Sequence, residues 1–392
     1  MASIKFYPVG NGDTSQIILD NGRRILMDFR HQKNGEDDKS PVIDLAATLR
    51  QELKDADKDH FDVVAFTHAD LDHIQNCHEF FELPGAGEKY TGGDRIKIQE
   101  IWVPCTMLFE MVKQNQRGDE FEVLRRELRH RFRNGKGIKV FSRSKAMRDW
   151  MEEEELSYED KKHLFVYAGQ TVNTFKYEHD QVEFFTHSPF SDSDSTADDV
   201  YRNEDALVFQ VRFKAPVPVN LMAFGDSKWD AIDTIVQRSK DKNNTDRLKW
   251  DLLNIPHHCS YECLHADKED EARKDERITV PTMLIKELLE EHSSWYAHLV
   301  SSSWPIRDDE EAYAQIQPPH IQAQKGYKDS IGSDVRFWVT MAYPNEDKPE
   351  PLEFEVGTFG LTKKKATRRS AAISTAAYAG ATANPRSGTL DE

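Results

Sequence analysis

The stretch Asp62–Thr67 (DVVAFT) is followed directly by His68–His73 (HADLDH). The first six residues form a compact apolar run of the kind that forms a buried strand. The next six contain two imidazoles and two carboxylates, at the point where this strand ends. A loop there can turn all four side chains toward one point, because it no longer alternates between two faces as a strand does. The stretch therefore predicts a buried strand that ends at a cluster of polar groups.

Four side chains of this cluster are of metal-ligand type: His68, Asp70, Asp72 and His73. Imidazole nitrogen and carboxylate oxygen suit zinc, manganese or iron. The alternative interpretation is a polar turn whose acids are solvated and cap the next helix. We favour metal binding, because this concentration of ligand groups directly after a buried strand is typical of a site.

Strand-type and helical patterns alternate along most of the chain. Asp20–Gly22 predicts a tight turn between two short strands. The presence of both hairpins and crossovers favours an α/β sandwich over an all-α or all-β fold. The predicted strands are Ser3–Val9, Gln16–Leu19, Arg24–Met27, Asp62–Thr67, Ile96–Val103, Leu164–Tyr167, Val182–Phe185, Ala206–Phe213, Val219–Phe224, Leu252–Ile255, Arg336–Ala342 and Leu352–Val356. The predicted helices are Leu45–Leu53, Glu120–Phe132, Ser144–Glu155 and Lys228–Ser239.

The composition changes along the chain. Residues 1–360 are predicted to form one domain, in which about 83–163 is a highly charged, mainly helical insertion that caps one side of the core. Glu262–Arg277 is almost entirely charged and predicts a solvated loop or helix. Residues 361–392 combine small residues and basic clusters without an apolar period, which predicts a disordered tail.

The chain of 392 residues carries a formal net charge of −17. This charge argues against non-specific adhesion to nucleic acid or to an anionic membrane, although it leaves room for a local basic groove. The first residues, MASIKFYPVG, lack the pattern of a secretory signal, and no apolar stretch reaches the roughly 18 residues of a transmembrane helix. Four cysteines form no disulfide framework. We expect a cytoplasmic protein without a membrane partner.

The segment His68–His73 resembles the first metal motif of the metallo-β-lactamase superfamily, usually written H-x-H-x-D-H. Its H-x-D-x-D-H form is similar to the hydrolase domain of ComEC-type DNA-uptake proteins, with Asp70 in place of a histidine. Other segments resemble motifs of the same subgroup, in the same order, over about residues 4–305. The resemblance implies a four-layer αββα sandwich with a mainly helical insertion. The matching segments are Val9–Asp13 (VGNGD), Ile25–Asp28 (ILMD), Thr186–Pro189 (THSP), Asn203–Val208 (NEDALV), Leu221–Asp226 (LMAFGD) and Ile255–Ser260 (IPHHCS).

The resemblance also implies a site for two divalent metal ions, zinc or manganese, bridged by a carboxylate. Two cations about 3.5–4 Å apart lower the pKa of a bridging water and stabilise charge on the attacked centre. The hard oxygen ligand that Asp70 supplies favours manganese over zinc. The implied ligands of the first ion are His68, Asp70 and, as an open alternative, His187; those of the second are Asp72, His73 and either His257 or His258, with Asp226 between the two ions.

Residues outside this ligand set are implied as well. Asp28 is implied to orient a ligand histidine or a loop amide, and Asp13 to support the ligands from behind. Asp72 and His320 are the implied catalytic residues, His320 by contacting a phosphate or protonating a leaving group. Cys259 stands where the resembling motif has glycine, so its thiol is either buried or close to the metal.

Three functions are compatible with these residues. We favour metal-dependent hydrolysis of a phosphodiester by a metal-bridging hydroxide, as in a phosphodiesterase or nuclease, with a phosphoester or nucleic acid as the substrate. The first alternative is hydrolysis of a small ester or phosphoester, which the acidic composition favours. The second is a metal-binding scaffold subunit with protein partners in a multi-protein system, such as a defence system. Membership of a fold does not choose among these chemistries.

Overall fold

The computed structural model describes residues 1–109, 118–190, 206–332 and 336–366. Fifteen strands lie in this part of the chain, and they form two sheets. The strands are β1 (Ser3–Phe6), β2 (Ser15–Ile18), β3 (Arg24–Met27), β4 (His60–Ala65), β5 (Lys97–Pro104), β6 (Ile138–Phe141), β7 (Phe165–Val166), β8 (Val182–Ser188), β9 (Val208–Phe213), β10 (Val219–Ala223), β11 (Trp250–Ile255), β12 (Ser293–Ser301), β13 (Phe337–Val339), β14 (Leu352–Gly357) and β15 (Gly360–Lys363).

The nine-stranded sheet has the order β15-β14-β1-β2-β3-β4-β5-β6-β7, and the six-stranded sheet the order β13-β12-β11-β10-β9-β8. Strands β3 to β7 run parallel, as do β10 to β13, whereas the remaining neighbours are antiparallel. The segments after β3, β4, β10 and β11 therefore leave their sheets at the carboxyl ends of parallel strands. Open α/β sheets bind ligands at such ends.

Helices cover the outer face of each sheet. Helix α1 packs Leu45 and Leu49 against the nine-stranded sheet, and α9 packs Ile232 and Ile235 against the six-stranded sheet. The helices are α1 (Leu45–Asp55), α2 (Leu71–Ile74), α3 (Cys77–Phe80), α4 (Thr106–Phe109), α5 (Gly118–Asn134), α6 (Lys145–Glu153), α7 (Tyr158–Lys161), α8 (Tyr177–Asp180), α9 (Trp229–Asp241), α10 (Met283–Glu290), α11 (Glu310–Ala314) and α12 (Ile321–Ile331).

Three apolar clusters separate four layers, and the middle one joins the two sheets. Trp102 of β5 lies at the centre of this middle cluster and is fully buried. Its ring packs edge-on against Phe184 at 5.1 Å and tilted against Phe209 at 5.7 Å, both on the opposite sheet. Successive side chains of a strand point to opposite faces, so Val64 of β4 packs toward the helices while Val63 packs toward the other sheet. The predicted four-layer αββα sandwich is confirmed.

Most predicted strands occur with ends shifted by a few residues, and β3 occurs with the predicted bounds. Strands β6 and β12 and helices α10 and α12 were not predicted. Ile138–Phe141 is only four residues long and carries Lys139, and β12 begins with the exposed Trp295 and Tyr296, so neither alternates clearly. Both depend on pairing with a neighbouring strand rather than on local pattern.

Two regions contain strands that the sequence does not predict. The stretch 83–163 holds β5 and β6 of the nine-stranded sheet as well as helices α4 to α7, so it contributes to the sheet itself. Strand β15 reaches Lys363 and pairs with β14, while residues 367–392 lie outside the described part of the chain. None of the helices in the described ranges is long and apolar enough to cross a bilayer.

We expect Trp102→Ala to lower the free energy of unfolding by about 3–5 kcal/mol, because it leaves a cavity between the two sheets. Urea unfolding followed by circular dichroism measures this change. Trp295→Ala is the matched control, since Trp295 is 83% exposed and its loss should change stability by less than about 0.5 kcal/mol. Equal effects of the two substitutions would contradict the placement of Trp102.

Candidate metal centre

Six side chains that could bind a metal ion lie close together. They lie at the carboxyl ends of the parallel strands of the two sheets. Their donor atoms form two overlapping groups, and within each group all atoms lie within 4.8 Å of one another. The first group is Asp13, His73, Asp226 and His258, and the second is His68, Asp72 and His73. We call these six residues the donor cluster.

The chain conformation after each strand turns these side chains inward. After β4 the chain leaves the sheet at Phe66, and the short helix α2 places His73 fully inside the protein. After β10, Gly225 adopts a left-handed conformation with φ of 54°, and a Cβ atom there would lie 3.2 Å from Thr67. A side chain at residue 225 would therefore push the Asp226 loop away from the β4 loop.

Asp226 lies between two sets of histidines. Its Oδ1 lies 3.3 Å from Nε2 of His73. Its Oδ2 lies 3.5 Å from Nε2 of His68 and 3.9 Å from Nε2 of His257. The two oxygens of one carboxylate thus face different histidines, as a bridging ligand requires.

His258 connects the donor cluster to the second sheet. Its Nδ1 donates to the carbonyl oxygen of Ser302 at 3.0 Å, directly after β12. Its Nε2 lies 3.0 Å from Oδ2 of Asp72, and the Oδ2 of Asp13 is 4.0 Å from its Nδ1. The other oxygen of Asp13 accepts a bond from the side-chain amide of Asn254 at 3.3 Å.

Four ligand atoms of this cluster are buried and have no hydrogen-bond partner within the described ranges of the chain. They are Oδ2 of Asp13, Nε2 of His68, Nε2 of His73 and Oδ1 of Asp226. Buried polar atoms normally have partners, because an unpaired one costs about 1–3 kcal/mol. A divalent cation would satisfy imidazole nitrogens and carboxylate oxygens together, so the residues present fit a metal ion.

Asp28 holds the histidines from behind. Its Oδ2 lies 2.9 Å from Nδ1 of His73 and accepts the hydroxyl of Thr67 at 2.7 Å, while its Oδ1 accepts the Thr67 amide at 2.7 Å. The Thr67 hydroxyl also lies 3.1 Å from Nδ1 of His68. Asp28 therefore contacts both the His73 ring and the Thr67 amide, which correspond to the two alternatives that the resemblance implies. A carboxylate behind a histidine fixes its tautomer and leaves Nε2 for a metal.

Three consecutive non-glycine residues after β11 are left-handed. His257, His258 and Cys259 have φ of 46°, 54° and 69°. Each such residue costs on the order of 1–3 kcal/mol and persists only where its surroundings hold it. The Cys259 thiol is fully buried, lies 4.0 Å from the His320 carbonyl oxygen, and has a pKa that burial raises. The positive φ explains why glycine stands there in the resembling motif.

The charges in the donor cluster depend on one another. Burial opposes ionisation of Asp226 and Asp72, yet the nearby histidines outweigh it, above all His73, so both carboxyls have a pKa well below the usual range. Burial also opposes charge on His73, and the carboxylates of Asp226 and Asp28 outweigh it, so the pKa of His73 is raised. For Asp13 burial is the stronger effect, and its pKa is raised. A proton on His73 would therefore offset part of the negative charge of the carboxylates. A divalent cation bound in the cluster would offset the same charge.

The remaining predicted ligands lie at different distances from the cluster. Oδ2 of Asp70 lies 3.9 Å from Nε2 of His68, at the more exposed side. His257 approaches Asp226 and is partly exposed. His187 belongs to neither donor group, and its Nε2 instead donates to the carbonyl oxygen of Arg247 at 3.0 Å. Burial lowers the pKa of His187 to about 4.

His320, predicted as a catalytic residue, is held by the backbone on both sides. Its Nδ1 accepts the amide of Tyr261 at 3.3 Å, so its Nε2 donates to the carbonyl oxygen of Ile316 at 3.1 Å. Burial lowers the pKa of this imidazole to about 4. The neutral ring links two loops in this arrangement, and the predicted proton transfer would require it to give up the Ile316 bond.

Sequence reasoning gave Asp13 a supporting role, whereas the structure places it among the potential ligands. It assigned no role to Asn254, which bonds to Asp13, or to Thr67, which bonds to Asp28. Thr67 directly precedes His68, so its position was a usable signal. Asn254 lies on β11 and Ser302 directly follows β12, and only the parallel pairing of β11 with β12 brings them together.

No protein-family model matches this chain, and no curated protein is similar to it in sequence. Among solved structures, the chain is similar to zinc-bound PqqB from Methylobacterium extorquens, with 10% identity and a TM-score of 0.27 over 65% of this chain and 72% of that one. It is also similar to unliganded yeast PDE1, with 10% identity and a TM-score of 0.38 over 85% and 93% of the two chains. At these TM-scores neither likeness carries an argument about the activity of this chain.

We expect Asp28→Asn to weaken metal affinity about 10- to 100-fold, because the amide no longer orients His73 as the carboxylate does. Competition with a chelator of known affinity measures this change. Asp59→Asn is the matched control, since Asp59 also contacts a histidine, His60, at 2.9 Å but lies on the surface. Unchanged affinity in the Asp28 variant would show that Asp28 does not support the metal ligands.

We expect His187→Gln to retain its metal content and to change the pH dependence of stability. The folded-state pKa of about 4 lies below the ordinary 6.5, so the folded protein binds fewer protons than the unfolded chain between these values. Stability is therefore lost as pH falls through this window, by up to about 1.4 kcal/mol per pH unit for one group. Urea unfolding at pH 7, 6 and 5 should show a smaller loss in the variant, whereas loss of metal would make His187 a ligand.

Proposed function

We propose that this protein is a metal-dependent hydrolase of the metallo-β-lactamase superfamily and that it hydrolyses a phosphodiester. The observation that carries the proposal is the set of buried donor atoms without partners in the donor cluster. A folded protein tolerates such groups where function compensates for their cost. The four-layer sandwich and the collinear motifs support the same proposal, because motifs in this order carry the metal ligands in the superfamily that the sequence resembles.

The two oxygens of Asp226 support two neighbouring cation positions. Oδ2, together with His68, His257 and Asp70, would hold one zinc or manganese ion. Oδ1, together with His73 and His258, would hold the second. Asp13 and Asp72 would complete the ligand set of this second position, because Asp13 shares its donor group and Asp72 contacts His258.

Hydrolysis joins a water oxygen to phosphorus, breaks one P–O ester bond and transfers a proton to the departing alcohol. Bound cations would make water more acidic and stabilise negative charge on the phosphoryl oxygens. The chain itself supplies the proton acceptor. Asp72 has a lowered pKa, so it is ionised at neutral pH, and its side chain is 31% exposed, whereas those of Asp13 and Asp226 are almost covered. We assign Asp72 as the group that accepts the proton from water, because its carboxylate is the most accessible of the three.

A small phosphoester is the second candidate substrate. The net charge of −17 favours it over a long nucleic acid, because a polyanion is repelled by most of an acidic surface. The set of potential ligands argues against a scaffold that has lost its metal, and the assay of turnover separates a metal-binding scaffold from an enzyme. The type of bond that the protein hydrolyses and the length of its substrate therefore need separate measurements.

We expect the protein reloaded with zinc or manganese after chelation to hydrolyse bis-p-nitrophenyl phosphate. Asp226→Asn should bind less metal and lower turnover on the order of a hundredfold or more, because it replaces the proposed bridging carboxylate. Release of p-nitrophenol measures activity and mass spectrometry measures metal. Single-stranded DNA, double-stranded DNA and RNA are assayed in parallel to separate a nuclease from a phosphodiesterase of small substrates.

Asp149→Asn is the control, because Asp149 lies exposed on α6, where it pairs with Lys145. It should retain metal and activity. A folded wild-type protein that binds less than one metal ion per chain would contradict the proposal and favour the scaffold. A metal-loaded protein that hydrolyses p-nitrophenyl acetate but no phosphodiester would replace the proposed substrate class with carboxylic esters.

A further inference from the structure

The loop Gly10–Gly12, directly before Asp13, supports two large side chains that the metal chemistry does not use. A Cβ atom at Gly12 would lie 2.2 Å from Cδ and 2.7 Å from Nη1 of Arg30, and 2.9 Å from the carbonyl oxygen of Asp72. A Cβ atom at Gly10 would lie 3.2 Å from the indole of Trp304. The two glycines therefore let an arginine and a tryptophan lie directly on the loop that carries Asp13.

Arg30 is anchored close to the donor cluster, but its guanidinium is not fully satisfied. Its backbone amide donates to the Thr14 hydroxyl at 2.9 Å, and its Nε donates to the Gln75 side chain at 3.3 Å. Nη1 is buried and has no hydrogen-bond partner among the residues that the structure describes. Such a donor costs free energy until an acceptor reaches it.

The pKa of Arg30 also indicates that its guanidinium lacks part of the compensation that it needs. Burial lowers the pKa of this half-buried guanidinium more than the carboxylates of Asp72 and Asp13 raise it. Nearby acids therefore do not compensate fully for the loss of water around its charge. The planar fork of arginine matches two oxygens of a phosphate group, which would supply both an acceptor and a negative charge.

Trp304 stands at the other end of the same loop. Its backbone amide donates to the Asn11 side chain at 3.0 Å, and the Asn11 amide donates to the Pro318 carbonyl oxygen at 2.7 Å. Trp304 follows Ser302, which accepts a bond from His258, by only two residues. Trp304 is nevertheless 38% exposed, although it lies in the same short segment as Ser302, which contacts the donor cluster. Exposed indole rings are stacking surfaces for nucleobases.

We propose that Arg30 and Trp304 form the substrate-binding rim of the donor cluster and select a nucleotide phosphodiester. Arg30 binds an anionic phosphoryl oxygen of the substrate, and Trp304 stacks on its nucleobase. The inference rests on the proposed function and adds the chemical class of the substrate to it.

The experiment compares two phosphodiesters with the same leaving group, methyl p-nitrophenyl phosphate and thymidine 5′-monophosphate p-nitrophenyl ester. Arg30→Gln should raise KM for both at least tenfold, since one charge-assisted contact is lost. Trp304→Ala should raise KM at least fivefold for the thymidine ester alone, because only that substrate carries a base. Arg30→Lys should restore part of the affinity, and kcat should change less than KM in every case.

Calorimetry of the metal-loaded protein provides a readout that does not depend on turnover. Inorganic phosphate should bind at least tenfold more weakly to Arg30→Gln and normally to Trp304→Ala, whereas thymidine 5′-monophosphate should bind more weakly to both. Arg126→Gln and Trp295→Ala are the controls, since both side chains are exposed and lie outside the donor cluster. Metal content and circular dichroism of each variant establish that it is folded and loaded.

Each outcome separates this inference from the proposed function. Wild-type turnover of both esters with unchanged KM in Arg30→Gln and Trp304→Ala would overturn the inference and leave the hydrolase intact. An equal rise in KM for both esters in Trp304→Ala would overturn stacking in favour of loop packing. A wild-type protein that binds thymidine 5′-monophosphate through these residues without hydrolysing either ester would overturn the proposed function and support the rim.

Discussion

The carboxylate of Asp28 is the contact on which the donor cluster depends. It binds the backbone and side chain of Thr67 and the inner nitrogen of His73, so one residue after β3 fixes the loop after β4. Asp28 itself is left-handed with φ of 58°, a conformation that aspartate tolerates better than most residues. Because these bonds occupy the back of the site, the other nitrogen of His73 faces the cluster.

The donor cluster places several ionisable groups close together in the protein interior, and a divalent cation would balance their charge. Buried carboxylates and imidazoles can stay close together only when positive and negative charges balance. Against the effect of burial, the nearby carboxylates raise the pKa of His73, and the nearby histidines lower the pKa of Asp226 and Asp72. Binding of metal would release protons from histidine, so affinity should rise with pH over the range in which these histidines titrate.

Backbone conformation determines how close the loops around the cluster can come. Gly12 and Gly225 are needed because Arg30 and Thr67 occupy the space of a side chain there. The turn His257–Cys259 also brings its loop close to the cluster. Three consecutive residues with side chains adopt the left-handed region there, which costs conformational free energy. The bonds of His258 to Ser302 and to Asp72 hold this turn in place. Local strain is thus concentrated next to the proposed site, where function explains it.

The sequence pattern alone predicted an α/β sandwich and a buried strand that ends at the ligand-type residues of His68–His73. The four layers, and Asp226 and His258 as ligands, were implied only by the resemblance to the metallo-β-lactamase superfamily. The sequence could not place β6 or β12, whose residues become strands only through pairing with neighbours. It also could not separate His187 from the other histidines or bring Asp13 into the cluster. Those outcomes depend on which residues of the second sheet face the first, and Trp304 meets Gly10 across nearly three hundred residues of sequence only through that packing. Local patterns encode single elements, whereas contacts distant in sequence form only when both sheets pack around one core.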